Sequence, residues 1–193
     1  MAYLESPADN AHAKRLAQAK RLAEADSVSA ASFEFEGAAY RHAMRELASG
    51  VALVTTGQDG ARSGCAATAI CSLSLEPPSL LISIGKLSST LAHLRANGAF
   101  GISILAATHE DLANRFAGRG GLKGEARFAG ARWITLETGA PLLDEALATI
   151  DCMVEDIIER HTHAIVIGQV KAVRRNTGAG ALLHWRGGYE KVV

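Results

Sequence analysis

Val51-Ala-Leu-Val-Thr-Thr56, Gly57-Gln-Asp-Gly60 and Ala61-Arg-Ser-Gly-Cys-Ala-Ala-Thr-Ala69 are three consecutive stretches whose reading decides the fold. The first has strand composition, the second is turn chemistry, and the third is again strand-like, so together they predict an antiparallel hairpin. Upstream, residues 37–48 read as an amphipathic helix with Tyr40, Met44 and Leu47 on one face and Gly50 placed to end it. Downstream, Pro77-Pro78 breaks the chain before a strand at 80–84. Residues 88–97 form a short helix with Ser/Thr available as N-cap and Gly98 just past its end. A strand follows at 100–105, and Thr108-His-Glu-Asp111 opens a helix with capping-box spacing that runs to about Phe116. A Gly- and Arg-rich loop fills 118–130, and strands are expected at 148–158, 164–173 and 182–185. Several strands precede the first long crossover and no βαβα alternation is present. The pattern therefore predicts a mainly β protein, an antiparallel barrel with short helices packed outside it.

Composition bounds the function. The 193 residues carry twenty Lys+Arg against twenty Asp+Glu, and this zero net charge argues against a general grip on nucleic acid or an anionic membrane. No apolar run approaches the ~20 residues of a membrane helix, and the N-terminus has no secretory apolar core. Cys65, Cys71 and Cys152 are odd in number and widely spaced, which fits reduced thiols in a cytoplasm and no structural zinc site. Residues 1–32 are alanine-rich, with a thin apolar stripe at Leu16, Ala19, Leu22 and Ala23, and read as a helical extension. The globular domain is expected over 33–193.

Four local patterns could carry chemistry, and each has a plainer reading beside it. Gly118-Arg-Gly-Gly-Leu-Lys-Gly124 lacks the strand–turn–helix context of a dinucleotide fingerprint, and Lys123 stands in the third glycine's place. It is a surface loop or a basic flap in which Arg119, Lys123 and Arg127 could reach a phosphate. Lys86-Leu-Ser-Ser-Thr90, where a strand meets a helix, offers hydroxyls, a cation and free amides, as an anion site or as simple N-capping. His161-Thr162-His163 at a strand start would put two imidazoles on one face, with no third metal ligand in local reach. Arg62 to Ala69 holds small residues that leave room for something flat, or for tight packing. Walker A, GxSxG and HExxH patterns are absent from the sequence.

The order of these pieces resembles the flavin reductase family, the reductase components of two-component flavin-dependent monooxygenases. The match runs from Tyr40-Arg-His-Ala-Met-Arg-Glu-Leu-Ala-Ser-Gly-Val51 through Ser72-Leu-Ser-Leu-Glu-Pro-Pro78 and Lys86-Leu-Ser-Ser-Thr-Leu91. It continues with Leu112-Ala, Phe116-Ala-Gly118, Arg127-Phe128, Gly139, Pro141-Leu142, Asp151-Cys152, Thr162-His163 and Gly188-Tyr189. The resemblance implies an FMN-binding split β-barrel, usually a homodimer, that takes FMN or FAD, with NADH or NADPH as co-substrate. It also implies a separate oxygenase that receives reduced flavin. Carried over, the flavin ring would lie along Arg62, Ser63, Gly64, Cys65, Ala66, Thr68 and Ala69. Its phosphate would sit at Ser83, Ile84, Gly85, Lys86, Leu87, Ser88, Ser89 and Thr90. Ala117, Gly118 and Arg127 would complete the wall, and His163 would serve the nicotinamide with His184, Trp185, Arg186 and Gly187. The chain departs from the family's usual residues at Ala66, Gly85 and His161. A flavin-binding electron carrier or sensor without efficient NAD(P)H oxidation is the alternative, and Trp185 reads equally as a core aromatic.

Overall fold

The computed structural model describes residues 37–58, 60–176 and 180–192, and the extension expected over 1–32 lies outside them. The chain divides into two units, Met1–Met44 and Arg45–Val193. The first contributes nearly all of helix α1 (Gly37–Arg45), with Tyr40 and Met44 one turn apart. The helix stops at Arg45 and not at residue 48. Gly50 is not its cap, because Ser49–Gly50 (β1) is drawn into a ladder opposite His184 and Leu183 of β11 (Ala181–Trp185).

The hairpin forms as β2 (Ala52–Thr56) and β3 (Ser63–Ala67), with Val54 opposite Cys65. The second strand is shorter than its composition suggests. It ends at Ala67, and after Thr68-Ala69 a new strand begins, β4 (Ile70–Leu75), followed by β5 (Pro78–Gly85). Helix α2 (Ser89–Asn97), β6 (Ala99–Ile104), α3 (Glu110–Phe116) and a 3-10 turn over Gly124–Phe128 come next. Two short strands, β7 (Trp133–Ile134) and β8 (Leu142–Leu143), precede the long hairpin of β9 (Ala148–Arg160) and β10 (His163–Arg175). β11 and β12 (Gly188–Val192) close the chain in a three-stranded sheet with β1.

The main sheet is antiparallel throughout, in the order β3-β2-β6-β9-β10-β5-β4. Its two edge strands, β3 and β4, are joined by Thr68-Ala69 alone, a link that can span at most ~11 Å between Ala67 and Ile70. The seven strands must therefore curl until the two edges nearly meet. Ala69 is drawn onto the far edge, its carbonyl accepting the N–H of Ser83 at 3.0 Å.

Strand alternation divides the core in two. Ala52 and Val54 of β2 face one cluster, with Ile82, Phe100, Ile102 and Val166, while Val51 and Leu53 face the other, with Leu105, Phe116, Phe128 and Leu182. Gly168 lies flat beneath Phe100, where an added Cβ would come within 2.7 Å of the ring's Cε1.

Helix α3 begins at Glu110 without the capping box expected at Thr108. Its N-cap is His109, whose side chain makes no cap bond to the helix. The imidazole turns back instead, and its Nδ1 accepts the N–H of Ala106 at 3.1 Å, a role open only to the neutral ring. Burial holds this histidine below its ordinary range, with the Glu145 carboxylate pulling the other way. Because the folded value is depressed, the unfolded chain protonates first as pH falls. The stability contributed by the neutral ring is thus lost from about pH 6.5 downward, until the folded value is passed. Urea midpoints should fall more steeply between about pH 7 and 5 for the wild type than for His109→Gln.

Candidate active site

The open edge of β3 forms one wall of a cleft of about 170 Å³ bordered by Val51, Ala66, Ala67, Thr68, Ala117, His184 and Tyr189. Three of these residues are alanines, so no long side chain stands on the β3 side of the cleft. Gly64 supports it from behind, since a Cβ there would fall 2.7 Å from the Phe116 ring and 2.9 Å from the Val54 carbonyl. The opposite wall is a cross-strand pair of the β11–β12 hairpin, His184 opposite Tyr189, with ring centroids 5.7 Å apart in an edge contact. Of the residues expected around a flavin ring, Ala66, Thr68 and Ala117 line this cleft, and His184 of the nicotinamide set meets them there. Sequence reading missed Val51, Ala67 and Tyr189 as lining residues; the pairing of His184 with Tyr189 across a two-residue turn was the available signal.

From β3 a set of contacts runs toward the corner at Lys86–Thr90, where the flavin phosphate is expected. Arg127 donates to the Gly64 carbonyl at 2.8 Å and to the Leu122 carbonyl at 2.9 Å, so its guanidinium braces β3 from the Gly118 side. Ser63 and Thr90 hydroxyls lie 3.4 Å apart, tying β3 to the start of α2. Burial pushes the Cys65 thiol up, only partly offset by Thr90 and Arg127, so it is a neutral packing group and no nucleophile.

At the corner itself, Ser88 caps α2, its hydroxyl oxygen accepting the N–H of Thr90 at 3.2 Å. Gly98, at φ +64, ends the same helix. The Ser89 hydroxyl and its N–H have no partner among the described residues and stand exposed at the helix's positive end. Lys86 is held by Glu159, Nζ to Oε2 2.7 Å, and Arg95 shares the same carboxylate at 2.6 Å. Those two hydrogen bonds hold the Glu159 carboxyl below its ordinary range. Glu159 was not read from the sequence, because it reaches the corner only through the β9–β10 register.

His161-Thr162-His163 does not share a strand face. His161, at φ +47, is in the turn between β9 and β10, and only His163 enters the strand, paired with Gly85. Its Nδ1 lies 2.9 Å from the Thr162 hydroxyl, and the Thr162 carbonyl accepts the N–H of Lys86 at 2.9 Å. His163 therefore stands beside Lys86 and Gly85 and is not among the cleft's lining residues. Among the described residues no cluster of His, Cys, Asp or Glu could hold a metal.

Three expected contacts, Arg62, Trp185 and Arg186, are engaged elsewhere. Arg62 donates from its backbone N–H (3.0 Å) and Nε (2.8 Å) to Glu125, and its guanidinium stacks 4.7 Å over Phe128. This fastens the 3-10 turn, which makes part of the presumed surface loop rigid. Trp185 points away from His184 and donates to the Glu46 carbonyl at 3.3 Å, with Arg186 stacked 4.4 Å over its ring. Arg186 (φ +50) and Gly187 (φ +88) form the tight turn of the hairpin, which Arg186 anchors to the Glu46 carboxylate. These three orient the hairpin that carries His184 and Tyr189. A second, open groove of about 380 Å³ beside Gly57, Gln58, Thr135 and Pro141 includes only Arg62 of the expected residues.

Small side chains along a flat wall, an unpartnered hydroxyl and amide at a helix start, and an adjacent lysine suit an aromatic ring system with an anionic tail. Residues 44–192 match the family described as flavin reductase like domain. The FMN reductase (NADH) RutF 2 of Rhizobium rhizogenes is 41% identical over 153 residues, 79% of this chain and 87% of the relative. Its namesake in Methylorubrum extorquens is 45% identical over 146 residues, 76% and 84% of the two chains. The solved structure of BorF, the flavin reductase component of a bacterial two-component tryptophan halogenase, superposes with a TM-score of 0.75 at 28% identity, covering 81% of this chain and 98% of that one. The small-residue wall, the helix-start corner and this continuous match agree: the chain belongs to the flavin reductase family.

Proposed function

We propose that this protein is an NADH-dependent FMN reductase that passes reduced flavin to a separate oxygenase. The observation that carries this reading is the cleft in which the open β3 edge (Ala66, Ala67, Thr68) faces His184 and Tyr189, with the start of α2 tied to the same strand through Ser63 and Thr90. The names of the relatives favour FMN and NADH over FAD and NADPH. A flavin held there would supply the redox chemistry, as the acceptor of a hydride from the nicotinamide.

The chain's own part is to bind, orient and exclude water. Ala66 and Ala117 give a small apolar floor, and Ser89 with Lys86 holds the phosphate. His184 and Tyr189 form a shelf that keeps a nicotinamide against the ring, and the alignment of two stacked rings supplies most of the rate. His163 acts from the phosphate corner, next to Gly85. The curled seven-stranded sheet is read as the split barrel of the family, working as a homodimer in the cytoplasm. Among the described residues no helix is long and apolar enough to cross a membrane.

Steady-state NADH oxidation with and without added FMN tests the reading. Turnover that depends on added FMN is expected. Negligible NADH consumption by a protein that retains flavin through gel filtration would instead favour an electron carrier or sensor.

A further inference from the structure

Most cations around the cleft and its corner already face a carboxylate. Lys86 is paired with Glu159, Arg62 with Glu125, Arg186 with Glu46, and Lys191 with Glu110 at 3.2 Å. Arg127 is spent on two backbone carbonyls. Arg119 differs. It makes no ion pair among the described residues; its NH1 donates to the neutral Asn114 amide oxygen at 2.9 Å, and its guanidinium lies 5.8 Å from the centroid of Tyr189. Tyr189 lines the cleft, so Arg119 stands on its rim, exposed to solvent.

The backbone explains how it gets there. Gly118 (φ +87), Gly120 (φ +82) and Gly121 (φ +76) all take left-handed conformations that side chains resist, and Arg119 is the residue between the first two. The turn is closed by Arg119 N–H to the Asn114 carbonyl at 3.0 Å and Gly121 N–H to Gly118 at 3.4 Å. The chain thus leaves α3 at Ala117, a lining residue, and presents an unneutralised guanidinium two positions later.

We propose that Arg119 binds the diphosphate of the nicotinamide dinucleotide, and so sets the affinity for NADH apart from that for flavin. This rests on the reductase reading above. With the nicotinamide on the His184–Tyr189 shelf, the diphosphate lies one ribose outward, on the rim where Arg119 stands. A guanidinium fork matches two phosphate oxygens, and the neutral amide and ring face that now hold it are exchanged at little electrostatic cost. The other anion-binding feature, the α2 corner, contributes no residue to the cleft's lining and is left to the flavin phosphate.

The test compares two hydride donors on the full chain at saturating FMN: NADH, and 1-benzyl-1,4-dihydronicotinamide, which has no phosphate. In Arg119→Ala the KM for NADH should rise about tenfold or more, with kcat nearly unchanged and the phosphate-free donor unaffected. Calorimetric titration of ADP-ribose, which has the diphosphate and no reactive ring, should weaken by a similar factor, while FMN affinity holds. Arg119→Lys should recover part of the loss. An unchanged KM for NADH, an equal loss with both donors, a fall in FMN affinity, or an equal effect of Lys123→Ala would each overturn the assignment. Failure of the underlying reading is separable, because the wild-type protein would then show no FMN-dependent NADH oxidation before any variant is made.

Discussion

Alanine at both Lys86 and Ser89 should weaken FMN binding by about a hundredfold or more, since each charge-assisted contact to a phosphate contributes ~1.5–3 kcal/mol. The lower end applies, because Lys86 is more than a third exposed and screened by solvent. The two residues act differently. Ser89 offers an unpartnered hydroxyl and amide at the start of α2, so its contact displaces only water. Lys86 must turn from Glu159, whose carboxylate keeps a second cation in Arg95 when the lysine leaves. Ser88 and Thr90 are not substitutes, because the Ser88 oxygen caps the helix and Thr90 is buried against Ser63. Fluorescence titration with FMN measures the loss, and riboflavin, which lacks the phosphate, serves as the control. FMN affinity within about threefold of the wild type, or an equal loss for riboflavin, would remove the phosphate from this corner.

The largest effect on stability is expected at Phe100 of β6, fully buried with its ring over Gly168 of β10. Phe100→Ala should cost about 3–5 kcal/mol, read as a lowered urea midpoint with unchanged slope. The pair is complementary in shape, so the opposite error is also costly: Gly168→Ala drives a methyl into the ring and should cost ~1–3 kcal/mol. Combining Gly168→Ala with Phe100→Leu should be less harmful than the two changes summed, because the shorter side chain vacates the space the methyl needs. Strict additivity would show that the two positions do not share one packing constraint.

The parts of this architecture governed by local chemistry were legible in the sequence. The β2–β3 hairpin, the Ser88 and Gly98 caps of α2 and the long strands of the last third follow from turn residues, caps and β-branched runs. β4 was not legible. Its exposed edge carries Cys71, Ser72, Leu73 and Leu75 with no buried face to impose alternation, so Thr68-Ala69 read as the end of one strand instead of the gap between two. The 3-10 turn was hidden for a related reason: glycines suggest looseness, while the bond that fixes the turn, Arg62 to Glu125, spans 63 positions. The site was half legible. The small residues at 66–68 and the Lys86–Thr90 corner stand out as types, but Tyr189, Glu159 and the outward turn of Trp185 depend on register across strands. Periodicity within one segment cannot supply that.

The two-residue link between the edge strands also has a kinetic consequence. β3 and β4 are tethered neighbours in the chain and opposite ends of the ladder, so the β2–β3 and β4–β5 hairpins start out side by side and the ladder closes only when β6, β9 and β10 have paired between β2 and β5. Apart from the β9–β10 hairpin, those pairings (β2–β6, β6–β9 and β10–β5) join segments far apart in sequence, which slows their formation. The surface proposed to hold the flavin is then among the last to be completed during refolding. Recovery of ligand-induced fluorescence quenching should lag behind the return of far-ultraviolet circular dichroism, making the ligand a reporter of completed closure.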